Sequence, residues 1–103
     1  MLSRMRRACV LVLACLISGA HAQTNDAVRG RNVAANCASC HGTNGVSQPG
    51  MPTLAGRSKD ELVSKMQDFK SGRVPSTIMG QIAKGYSDAQ IERAAAFFAA
   101  QKP

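Results

Sequence analysis

Cys37-Ala38-Ser39-Cys40-His41 is the stretch on which the reading of this chain turns. If the segment is helical, the two thiols lie about one turn apart and His41 falls one turn beyond Cys37, so all three side chains leave one face. That arrangement suits a covalently attached haem: each sulfur can add to one porphyrin vinyl group while the imidazole reaches the iron. A bare C-x-x-C is also compatible with a dithiol redox pair, half of a zinc site or a structural disulfide. The remaining inventory favours haem. The other two cysteines, Cys9 and Cys15, fall in an N-terminal segment expected to be removed, which leaves a zinc site short of ligands. His41 is the only histidine after that segment. No strand-rich pattern surrounds the motif, as a thioredoxin-like redox fold would require.

The N-terminal segment reads as a secretory signal peptide. Arg4, Arg6 and Arg7 precede an apolar run from Ala8 to Ile17, and Ala20-His21-Ala22 supplies a small-residue cleavage site, so residues 1–22 are expected to be removed and the mature domain to begin at Gln23. The apolar run is too short to span a bilayer as a stable helix, and no other span is expected. Acylation at Cys15 is the weaker reading, because Leu13 fits a lipoprotein motif poorly. A periplasmic location follows from export, and it suits a mature chain whose only thiols are those of the motif.

Residues 23–103 make one small domain. A chain of that size buries only about 60% of its unfolded surface, and its aromatics are limited to Phe69, Tyr86, Phe97 and Phe98. Such a scaffold usually needs a staple, and a haem held by two bonds would give every helix an apolar centre to pack on. With Arg4, Arg6 and Arg7 removed, ten lysines and arginines face six acids, a net charge of +4.

The pattern is all-α. The first helix is expected to run from Asn25 or Asp26 into the motif, with Gly30 either tolerated or marking a close helix crossing. Residues 42–56, rich in Gly, Asn, Ser, Thr and Pro, read as a loop on the side of His41. Ser58-Lys59-Asp60-Glu61 reads as a capping box opening a helix whose apolar stripe is Leu62, Val63, Met66 and Phe69. Ser71-Gly72 ends it, Pro75 and Met79 lie in a second loop, and Ser87-Asp88-Ala89-Gln90 opens a last helix with Ile91, Ala94, Ala95 and Phe98 inward.

Together, C-A-S-C-H-G at 37–42, M-P-T-L-A-G at 51–56, the methionine segment and A-A-F-F-A at 95–99 resemble a class I c-type cytochrome over residues 25–101. The resemblance implies three to four helices wrapped around one covalently bound haem c and its iron. Within that class, residues Ser76 to Asp88 are similar to the cytochrome subunit of flavocytochrome c sulfide dehydrogenases. It further implies that Pro52 offers its carbonyl to the His41 Nδ1 proton, and that Gly30, Phe97 and Phe98 sit where the first and last helices cross. A single C-x-x-C-H allows one haem in this chain.

The sixth iron position has few candidates: Met51, Met66, Met79, a lysine or nothing. Met51 lies in the loop expected on the His41 side, and Met66 belongs to the apolar stripe. Met79, next to Gly80, is the expected ligand, and Met/His ligation is one of the standard pairs. The expected function is periplasmic electron transfer between ferric and ferrous iron at a relatively high potential, with no catalysis and no nucleic-acid partner. The alternative is an electron-accepting subunit bound to a flavoprotein sulfide dehydrogenase, and a ligand-binding or peroxidatic haem protein ranks third. Lys59, Lys65, Lys70, Arg73 and Lys84 are expected to ring the haem edge and steer an acidic partner.

Overall fold

The structure, a computed structural model, describes residues 25–103. The proposed signal peptide, with Cys9 and Cys15, therefore lies outside the described residues. In chain order these form α1 (25–35), α2 (Ala38–His41), a 3-10 turn (Thr43–Gly45), α3 (Lys59–Ser71), α4 (Met79–Lys84) and α5 (Asp88–Ala99). Five α-helical segments thus stand where three to four were expected, the additions being the single turn of α2 and the short α4.

The two main caps differ. Ser87 accepts the Gln90 backbone N–H at 3.2 Å while the Gln90 side chain accepts the Ser87 N–H at 2.9 Å, so α5 opens with a complete capping box. At α3 only half of the expected box forms. Ser58 accepts the Glu61 N–H at 3.1 Å, but the Glu61 carboxylate pairs with Arg57 one turn back instead of reaching the Ser58 backbone.

Ala34, Leu62, Ala95 and Phe98 form the buried core where α1, α3 and α5 meet, with Cys37, Leu54, Val63, Ala94 and Phe97 packed against it. Gly30 is buried at the α1/α5 crossing. A Cβ there would lie 2.8 Å from the Arg93 carbonyl oxygen and 3.7 Å from Phe97 Cβ, so the backbones touch at a distance that only glycine permits. Phe97 and Phe98 meet edge to face with ring centroids 5.4 Å apart. Met66, expected in the stripe, is only half-buried on α3. α4 packs along α3, which also packs on α5, so α3 is the support for the chain's C-terminal half.

Candidate functional site

Cys37, Cys40 and His41 come together through local hydrogen bonds. α1 stops at residue 35 because Asn36 and Cys37 donate to Val33 and Ala34, three residues back, at 3.2 and 2.9 Å. This tight turn replaces the uninterrupted helix expected into the motif. Beyond it, His41 N–H donates to the Cys37 carbonyl at 2.9 Å, the bond of one α-helical turn. Cys37 is half-buried against the core, and burial pushes its thiol above the usual value. Cys40 is exposed, and both thiols are free.

The His41 ring is oriented from outside the motif. Its Nδ1 lies 2.7 Å from the Pro52 carbonyl oxygen. A carbonyl only accepts, so the proton resides on Nδ1 and the Nε2 lone pair is left to bind a metal. Three further contacts set the loop that carries Pro52. The Gly45 carbonyl accepts from Leu54 and Ala55 at 2.8 and 3.2 Å, and Gly56 N–H donates to the Phe98 carbonyl at 2.9 Å. Inside the loop the Ser47 hydroxyl donates to the Met51 carbonyl and lies 2.9 Å from Thr53 Oγ1. Gly45 has φ 82°, and a Cβ would approach Phe98 Cδ1 to 2.7 Å, so loop and core close on a residue without a side chain.

Met79 opens α4 instead of lying in a loop. The N-cap residue Ile78 offers no side-chain cap, but the Ser76 hydroxyl accepts the Gly80 N–H at 2.8 Å, which satisfies one first-turn donor of this short helix and fixes the peptide that follows Met79. Met79 is half-buried, whereas Met51 is 41% exposed and directly precedes Pro52 on the Nδ1 side of the ring. Sequence reasoning missed Ser47, Thr53 and Ser76. Only for Ser76, a serine shortly ahead of a helical run, does the sequence carry a signal.

The five cations expected to ring the haem edge differ in their surroundings. Lys59 pairs with Glu92 at 2.7 Å, Lys70 with Asp88 at 3.2 Å and Arg73 with Asp68 at 2.8 Å, while Lys65 and Lys84 have no carboxylate partner among the described residues. Three of the five charges are thus already satisfied within the chain.

A helical domain closed over a C-x-x-C-H turn, with an imidazole held by a backbone carbonyl, is the arrangement of a c-type haem protein. The Cytochrome c family matches residues 27–102, and the chain belongs to that family. The fold is that of the class I cytochromes c, and the segment is a haem c electron-transfer domain. The cytochrome subunit of sulfide dehydrogenase from Chlorobaculum tepidum is 40% identical over 70 residues, covering 68% of this chain and 64% of that protein. Cytochrome c4 from Azotobacter vinelandii is 36% identical over 110 residues, covering 96% of this chain and 52% of that protein. The solved structure of a cytochrome c4 from Acidithiobacillus ferrooxidans superposes with a TM-score of 0.59 at 33% identity, over 61% of this chain and 37% of the other. The chain therefore spans less than two thirds of the length of either of these two relatives.

The residues present fit the group. Two free thiols, an imidazole with its Nε2 lone pair available and exposed apolar side chains on both flanking segments, Val46 and Met51 on one and Ile78 and Ile82 on the other, suit a flat apolar macrocycle. Among the described residues no helix is long and apolar enough to cross a membrane.

Proposed function

We propose that the protein is a periplasmic electron carrier, not itself a catalyst, whose single haem is linked through Cys37 and Cys40 and ligated by His41 and Met79. The observation that carries this reading is the His41 Nδ1 to Pro52 carbonyl bond, because it fixes both the tautomer and the ring orientation that an axial ligand requires. When bound, haem c supplies one-electron chemistry at its iron. The chain supplies the rest. Cys37, held against the core, and Cys40, at the surface, anchor the group at two points. Met51 adjoins the residue that holds Nδ1 and Met66 belongs to the apolar stripe of α3, so the sixth position is assigned to Met79, half-buried at the start of α4. In this reading residues 1–22 are a cleaved signal peptide and 23–103 the mature domain.

A second reading makes the chain the electron-accepting partner of a flavoprotein that oxidises sulfide. Its support is the likeness to the Chlorobaculum tepidum subunit. Co-purification with a flavoprotein would favour this reading over the free shuttle.

A pyridine haemochrome spectrum with an intact mass tests attachment. One c-type haem on a chain starting at Gln23 is expected, and haem lost to acid-acetone would overturn the covalent link. Met79→Ala should abolish the sulfur-to-iron charge-transfer band of the ferric protein, and Met51→Ala and Met66→Ala should keep it. A band lost with Met66 and retained without Met79 would reassign the ligand.

A further inference from the structure

Lys70 does something other than face solvent. Its ammonium donates to the Tyr86 carbonyl at 2.6 Å and pairs with Asp88 Oδ1 at 3.2 Å, and its side chain is only 29% exposed. Gln67, on the same helix, donates to the same Asp88 oxygen at 2.9 Å. Both contacts run from the last turns of α3 to the far end of the segment that bears Met79. The near end is tied as well: Arg73 grips Asp68, and Val74 N–H donates to the Asp68 carbonyl at 3.3 Å. Between the ties, Gly80 lies against α3, where a Cβ would stand 3.5 Å from the Phe69 carbonyl oxygen.

We propose that Lys70 is a positioning residue for Met79: it clamps residues 86–88 to α3 and so opposes opening of the segment from Gly72 to Ser87. This rests on Met79 being the sixth ligand. The two ties differ in quality. Arg73 is 77% exposed and can be replaced by water at little cost, whereas the Lys70 ammonium reaches a backbone carbonyl and a carboxylate from a largely covered position. Lys59 provides an internal comparison, because its pair with Glu92 also joins α3 to α5 but at the other end of α3, away from Met79.

An exogenous ligand reaches the ferric iron only after Met79 leaves, so its binding rate reports the open population. In the purified holoprotein, Lys70→Met should speed cyanide binding about two- to fivefold, the scale of one partly screened charge contact. It should also weaken the charge-transfer band on mild heating, below global unfolding. Asp88→Asn, which removes the exposed partner, should move both readouts the same way and covers the case in which Lys70→Met folds poorly. Lys59→Met should change neither. Equal effects from Lys70→Met and Lys59→Met, or a cyanide rate unchanged in both Lys70→Met and Asp88→Asn, would overturn the clamp while the band's loss in Met79→Ala left the ligand assignment standing. A band that survives Met79→Ala would overturn both.

Discussion

His41 and Pro52, eleven residues apart in sequence, meet at 2.7 Å between an imidazole nitrogen and a backbone carbonyl. The contact gives the ring a fixed tautomer, and a hydrogen bond to Nδ1 makes Nε2 a stronger donor to whatever it ligates. Stronger donation favours the ferric state, so with haem bound and Met79 as the proposed sixth ligand, this bond would hold the reduction potential down against the opposite pull of the thioether.

Loosening the loop should therefore raise the potential. Ser47→Ala removes the hydroxyl that bonds the Met51 carbonyl and sits beside Thr53 Oγ1, leaving Pro52 less firmly placed. A redox titration should show an upward shift on the order of tens of millivolts, less than the ~59 mV that marks a tenfold change for one electron. A downward shift would contradict the donation argument.

The crossing of α1 and α5 should tolerate no side chain at Gly30. Gly30→Ala puts a methyl 2.8 Å from a backbone oxygen that cannot turn aside, and Gly30→Val adds two more carbons. Overpacking of this kind costs about 1–3 kcal/mol. Thermal unfolding of the holoprotein should show a clear loss for alanine and a larger one for valine, and an unchanged midpoint would mean that the helices separate easily.

Acid should expose the Asp88 contacts. The Gln67 amide first, then the Lys70 ammonium, hold the Asp88 carboxyl below its ordinary value. A carboxyl depressed on folding contributes stability above its unfolded pKa of about 3.9, and that contribution is lost as pH falls through the lower folded value. Urea midpoints measured from pH 6 down to pH 3 should therefore fall less steeply below about pH 4 in Asp88→Asn than in the parent protein.

If charge steers a partner, Lys65 and Lys84 should carry the effect, since Lys59, Lys70 and Arg73 already face carboxylates. Lys84→Glu should lower the rate of electron transfer to an acidic partner and flatten its fall with ionic strength, because exposed charges are screened over about 10 Å at 0.1 M salt. Lys59→Glu should alter the salt dependence less. A salt-independent rate in the parent protein would point to apolar docking and favour the bound-subunit reading.

What the sequence determined by itself is what acts within a helical turn or two. The Ser87 and Gln90 capping box, the end of α3 at Gly72 and the Cys37 to His41 backbone bond each link residues no more than four apart, so their geometry follows from spacing. The apolar periods of α3 and α5 likewise place Leu62, Ile91, Ala95 and Phe98 inward. Where two partners compete, local pattern failed: Glu61 had the choice of the Ser58 backbone or Arg57, and the ion pair took it. Met79 reads as loop because its segment is short and uncapped at the usual position, yet Ser76 and the surface of α3 make it the start of a helix. Lys70 reads as one surface lysine among several, and only the approach of α3 to the start of α5 brings a carbonyl and a carboxylate within its reach. The decisions left to tertiary structure are those in which a long side chain or an irregular loop chooses among distant partners, since packing of the helices sets the distances that spacing along the chain does not.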